Sequence, residues 1–129
     1  MIRPYKDSDY DILCSWWHKQ GDLAPAKNMV PIDSTFVLEI EGCPVLSGSV
    51  FTTNTSMALL ENFIGNPEFK KQRKAYSKQL IDYLTNYAKQ EGFERVVAIT
   101  YSPKLAKYYA NDFKLKVAFD SVICLVRET

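Results

Sequence analysis

Two hydrophobic periods alternate along the chain, and the points where one gives way to the other divide it into elements. Ile2 to Tyr5 reads as a short first strand. Asp7 or Ser8 then supplies a side-chain oxygen for a helix start, and Tyr10, Ile12, Leu13, Trp16 and Trp17 recur at helical spacing up to His18 or Lys19, with Gly21 just beyond. Residues 22–33 carry Pro25 and Pro31 and no sustained period, which predicts a loop or a short turn of helix. Phe36, Leu38 and Ile40 next alternate with Val37, Glu39 and Glu41, the period of a half-buried strand. Glu41-Gly42 predicts a hairpin turn into a strand over 45–53. Asn54-Thr55 predicts a second turn into a strand over 56–64, stopped by Gly65-Asn66-Pro67.

The period then lengthens. From about Arg73 to Gln90 the apolar residues Tyr76, Leu80, Ile81, Leu84, Tyr87 and Ala88 form one face of a helix. Gly92 stands where a helix favours a left-handed residue, with Phe93 ready to pack back. The run Arg-Val-Val-Ala-Ile-Thr over 95–100 predicts a buried strand. Pro103 opens a shorter helix through Ala110, and strands over about 115–119 and 121–126 close the chain. The order β-α-βββ-α-β-α-ββ is that of an α/β fold, a mixed sheet with helices on its faces. At 129 residues the expectation is one domain, 1–129.

Composition narrows the chemistry by exclusion. Hydrophobic residues at 47% and charged residues at 24% are ordinary for a soluble protein, and a formal charge of +1 leaves any case for a polyanionic partner to a local patch. Cys14, Cys43 and Cys124 are odd in number, widely spaced and without a CxxC pair, so neither a disulfide framework nor a metal site is expected. Free thiols suit the reducing cytoplasm, the expected location. The first residues lack an apolar signal core, and no apolar run approaches the roughly 20 residues that span a bilayer. His18, the sole histidine, has no carboxylate or thiol partner at a recognisable spacing, so a surface position at the helix end is expected. Phe69, Tyr76, Tyr83 and Tyr87 lie among basic residues as in a nucleic-acid platform. They fall at helix spacing, however, and core packing accounts for them.

One local patch stands out. Lys70, Lys71, Arg73, Lys74 and Lys78 crowd the entrance and first turn of the long helix. A helix N-terminus carries partial positive charge and unpaired N–H groups, so each cation there costs about 0.3–1 kcal/mol. A solvated basic face is one reading. A docked phosphate or pyrophosphate is the other, and the position after a strand and before a helix favours it.

The segment Ile64-Gly65-Asn66-Pro67-Glu68-Phe69, followed by a basic loop and Lys78-Gln79-Leu80-Ile81-Asp82-Tyr83-Leu84, resembles the acyl-CoA-binding core of the GCN5-related N-acetyltransferases. The run from Ser102 through Tyr108 and Tyr109 to Phe113 is similar to a later conserved region of that family, and the hairpin Phe36–Gly48 is similar to its compact members. The element order matches over nearly the whole chain. Two departures stand in the loop 72–77, where Ala75 and Ser77 replace glycines.

The resemblance implies acetyl-CoA as co-substrate and direct transfer of its acetyl group to an amine of a small molecule or a protein. It implies that backbone groups around Phe63 and Ile64 hold the pantetheine arm. Gln72, Arg73, Lys74, Ala75, Tyr76 and Ser77 would hold the pyrophosphate, with Ser102 also on the cofactor side. Glu61 takes the position of the base and Tyr108 that of the acid, with Tyr109 as the neighbouring alternative. Trp16 and Trp17 lie on the helix that walls the acceptor pocket, one in the core and the other toward the pocket. The replaced glycines also imply an alternative, a CoA-binding or protein-interaction module that keeps the fold without turnover.

Overall fold

Apolar side chains on both sides of one sheet dictate the architecture. The structure, a computed structural model, describes residues 1–99 and, beyond them, Lys107, Ala110 and Asn111, which are helical. Met1–Ile99 forms one unit. Its elements are β1 (Ile2–Pro4), α1 (Tyr10–Lys19), β2 (Thr35–Ile40), β3 (Cys43–Phe51), β4 (Met57–Gly65), α2 (Arg73–Gln90) and β5 (Arg95–Ala98). Short 3-10 turns lead into α1 (Asp7–Asp9), occupy the long loop (Lys27–Met29 and Ile32–Ser34) and lead into α2 (Pro67–Gln72). The strands lie in the order β1-β2-β3-β4-β5. All neighbours are antiparallel except β4 and β5, which run parallel because α2 carries the chain back between them. The expected mixed α/β sheet is present; the two closing strands of the expected order lie outside the described residues, as does the expected helix after Pro103 apart from Lys107 and Ala110.

The helices cover opposite faces. Leu80, Leu84 and Ala88 of α2 pack on Phe36, Leu38, Val50, Ala58 and Leu60. Leu13, Trp16 and Trp17 of α1 pack with Tyr5, Val30, Val37 and Ile64. Alternation in β2 predicts one wet face, but Phe36, Val37 and Leu38 are all buried. The reason is that α1 covers the side α2 leaves open, so a central strand is apolar at consecutive positions. Both tryptophans are buried in the α1 core, where sequence assigned only one to it. The run in β5 is less buried than expected: Val96 and Val97 are half-buried, and Arg95 and Ala98 exposed.

Backbone geometry at the element ends follows the punctuation. Gly92 adopts φ +95, letting the Phe93 N–H donate to Ala88 O at 3.0 Å while Phe93 packs on the core. The β2–β3 hairpin turns on Glu41 (φ 52) and Gly42 (φ 77), a two-residue turn with both residues left-handed.

A charged cluster ties the N-terminal elements to the sheet. The Arg3 guanidinium donates from Nε to Glu39 Oε1 at 2.7 Å, and from its two Nη atoms to Asp9 Oδ2 and Oδ1 at 2.7 and 2.8 Å. The Lys6 N–H adds a fourth bond, to Asp9 Oδ2 at 2.9 Å. Asp9 is only 3% exposed. Burial pushes its carboxyl up, but the bonds from Arg3 and Lys6 outweigh burial and hold it below its ordinary value. Such a group stabilises the fold above its unfolded pKa of about 4, and the contribution fades as pH falls through the lower folded value. Asp9→Asn should therefore cost about 1–3 kcal/mol in urea unfolding near neutral pH, since Arg3 loses its two-pronged partner and keeps only Glu39. The variant should also lose less stability than the parent on acidification; an equal acid slope would refute the assignment.

Candidate functional site

Strand β4 serves two cores, and a strict period of two cannot do that along its whole length. Ala58 and Leu60 face the α2 core, the next residue on that core is Phe63, and Ile64 turns to the α1 core. An extra residue is needed between Leu60 and Phe63. Ser49 pairs with Glu61 and Ser47 with Ile64, so Gly48 of β3 stands opposite both Asn62 and Phe63. Asn62 takes φ 57, a left-handed conformation that asparagine tolerates better than most residues. A Cβ on Gly48 would lie 3.0 Å from both Leu84 Cδ1 and Phe63 Cε1, so any larger residue here would push these side chains aside.

Among the described residues, the parallel pairing of β4 with β5 runs from Met57↔Arg95 to Leu60↔Ala98. Among the described residues, Glu61–Gly65 pairs with β3 alone. Backbone N–H and C=O groups on the other edge, around Phe63 and Ile64, can take an extended molecule as an added strand.

The end of β4 meets the start of α2. A Cβ on Gly65 would lie 2.9 Å from Arg73 Nε and from Leu46 Cδ2. Arg73 folds back over this strand end, with Nη2 at 3.5 Å from Gly65 O and 3.4 Å from Asn66 O. Its Nε is buried and has no hydrogen-bond partner. Gln20, at the end of α1, donates to the same Gly65 carbonyl at 3.1 Å. Asn66 fixes the corner by accepting from the Glu68 N–H at 3.1 Å and donating to Pro44 O at 3.2 Å. Gln72, Lys74 and Ala75 are exposed at the helix start, as are Lys70 and Lys71 just before it. Tyr76 and Ser77 are half-buried, Tyr76 against the α2 core. Lys78 pairs with Asp82 one turn along, which ties it to the helix flank.

Glu61 is half-buried beside the bulge, and burial pushes its carboxyl above the ordinary range. Among the described residues it makes no hydrogen bond or ion pair. Asn62 Nδ2 is likewise buried without a partner. An unmade bond at a buried donor costs about 1–3 kcal/mol, and such costs gather where a ligand relieves them. Among the described residues, an unpartnered guanidinium nitrogen, exposed lysines and a strand edge without a neighbour fit an extended molecule ending in phosphates. Tyr108, Tyr109 and Ser102 lie outside the described residues. Cys43 and His18 are exposed and Cys14 half-buried.

Sequence reasoning placed Glu61, Phe63, Ile64 and the residues 72–77 along one continuous path, and the structure gives each the position described above. It missed Gly48, Asn62 and Gly65. The available signal was the step of three from Leu60 to Phe63 in a strand that otherwise alternates by two.

No family model and no curated protein sequence matches the chain. Solved structures do. The unit of N-acetylglutamate synthase from Neisseria gonorrhoeae, complexed with coenzyme A and N-acetyl-glutamate, superposes with a TM-score of 0.72 at 17% identity, over 85% of this chain and 27% of that one. Glucosamine-6-phosphate N-acetyltransferase from Arabidopsis thaliana gives 0.68 at 15% identity, over 99% and 97%. An aminoglycoside N-acetyltransferase in complex with CoA gives 0.69 at 14% identity, over 98% and 99%. At these identities the fold is what is shared: that of the GCN5-related N-acetyltransferases, over nearly the whole chain. No helix among the described residues is long and apolar enough to cross a membrane. If the bulge depends on the space at Gly48, Gly48→Val should destabilise the protein by about 1–3 kcal/mol in thermal or urea unfolding. Wild-type stability in that variant would mean that Phe63 and Leu84 do not need the gap.

Proposed function

We propose that the chain is an acetyl-CoA-dependent N-acetyltransferase that passes the acetyl group directly to an amine of a small molecule or a protein. The observation that carries this reading is the bulged half of β4, which among the described residues pairs on one edge only and has a half-buried carboxylate beside it. Acetyl-CoA supplies an acyl group already activated as a thioester. The rest falls to the chain's own residues. Backbone groups of Phe63 and Ile64 bind the arm, and the helix start at Arg73–Ser77, with Gln72 before it, receives the phosphates. Lys74 belongs to the same exposed face.

An amine attacks only when neutral. Glu61 is placed to take its proton, and a carboxyl raised by burial is a better-matched base near neutral pH than an ordinary glutamate. Tyr108, or Tyr109 beside it, completes the proposal as the acid for the departing thiolate, and Ser102 as a further cofactor contact. A second reading, a CoA-binding or protein-interaction module without turnover, is favoured by one observation: Ala75 and Ser77 stand in the loop where glycines would let phosphate approach most closely.

Calorimetric titration with acetyl-CoA tests the first requirement. Binding should raise the melting temperature, with a gain of about 2.7 kcal/mol at a hundred times Kd, and Arg73→Glu should abolish it. No heat and no thermal shift at millimolar acetyl-CoA would overturn the enzymatic reading and the CoA-binding one, leaving only a protein-interaction module. Turnover against an amine panel separates them. Glu61→Gln should bind acetyl-CoA as the parent does and lower kcat by about 10²–10⁴. In the parent, kcat/KM should rise with pH as Glu61 loses its proton, and this limb should vanish in Glu61→Gln.

A further inference from the structure

The buried hydroxyls beside Glu61 have no part in the chemistry above, yet their hydrogen-bond directions are fixed. Thr35 pairs with Ser49 across β2 and β3, and Ser49 pairs with Glu61 across β3 and β4. Directly opposed residues share a face, so the three side chains form one row. Thr35 Oγ1 donates to Pro31 O at 2.7 Å. A carbonyl only accepts, and a hydroxyl has one proton to give. In the 2.7 Å contact between Thr35 Oγ1 and Ser49 Oγ, the donor must therefore be Ser49. Its proton is committed, and only lone pairs remain for its other neighbour.

That neighbour is Glu61. Opposed Cβ atoms on antiparallel strands lie about 4.5–5.5 Å apart, so the Glu61 carboxyl, which makes no hydrogen bond among the described residues, would reach Ser49 Oγ by turning toward it. Ser49 is fully buried and Thr35 2% exposed, so bulk water does not re-orient the chain of bonds. An ionised Glu61 accepts only and gains nothing from an oxygen that also accepts. A protonated Glu61 has an O–H to donate. Among the described residues, no charged or titratable side chain on β3, β5 or α1 acts on its carboxyl.

We propose that Ser49 is a positioning residue for Glu61: its oxygen, kept an acceptor by the relay Ser49 to Thr35 to Pro31, receives the O–H of the protonated carboxyl and steadies it there. In the reaction the amine N–H bond breaks and the Glu61 O–H bond forms. Ser49 and Thr35 keep their own protons, and the proton later leaves Glu61 for solvent from its exposed side. The catalytic meaning rests on the role assigned to Glu61 above, but the effect on its titration does not.

The test is carboxyl-carbon NMR titration of Glu61 in the full chain, which needs no turnover. Ser49→Ala should raise its acid constant roughly threefold to tenfold, the range of one hydrogen bond. Plain loss of polarity would act in the opposite sense, since a more apolar site favours the neutral acid. Thr35→Val frees the Ser49 proton for the carboxylate and should also raise the acid constant, whereas Thr35→Ser should restore the parent value. An unchanged or lowered acid constant in Ser49→Ala overturns the proposal. If Ser49→Ala does not fold, equal values in Thr35→Val and Thr35→Ser overturn it. Where these shifts appear, the acid limb of kcat/KM should move with them. NMR shifts without any turnover would sustain the Ser49 assignment and count against the enzymatic reading alone.

Discussion

The fold turns on a conflict of parity in β4. One strand has to supply Ala58, Leu60 and Phe63 to the α2 core and Ile64 to the α1 core, and alternation alone cannot satisfy both. The extra residue at Asn62 resolves the conflict, and three features follow from it. A side chain at Gly48 would crowd Phe63 and Leu84, Phe63 lies across the gap Gly48 leaves, and the register with β3 shifts between Ser47 and Ser49. The opening that looks like a binding feature is thus the same event that lets one sheet carry two hydrophobic layers. Function and packing are not separable here, because removing the bulge would also move Ile64 off the α1 core.

Much of this frame was legible in the residues. The long helix was predicted over Arg73–Gln90 and forms there, since its apolar stripe and the Gly92 stop are both strong local signals. The hairpin at Glu41-Gly42 was equally clear. Burial was harder. Val37 looks like the wet half of an alternating strand, and only the position of α1 makes it core. Whether a strand has one neighbour layer or two is decided by chain segments far away in sequence. The bulge was harder still, because a single slipped residue changes few letters.

The basic helix start shows the limit of counting charges. Five cations crowd 70–78, yet they do not act as one patch. Lys78 is engaged with Asp82, and Arg73 turns inward to the carbonyls at the end of β4. Sequence gives the inventory of charge but not its direction, since a long side chain chooses among partners only after the backbone has brought them near. The open carbonyls at Gly65 and Asn66, themselves products of the strand's end, decide where Arg73 lies. Glu61 is the opposite case. Its isolation from opposing charge among the described residues follows from an apolar strand context that the sequence displayed openly.

The burial of Trp16 and Trp17 has a spectroscopic consequence. These are the only two indoles in the chain, and both sit in the layer between α1 and the sheet. The aromatic side chains described on the opposite face are phenylalanines and tyrosines, among them Phe36, which meets Tyr83 and Tyr87 edge to face. Light emitted on excitation of the indoles therefore reports on one layer alone. Loosening of the α1 side would change its colour, whereas a rearrangement confined to α2 would pass unseen in that signal and register only in the tyrosine bands.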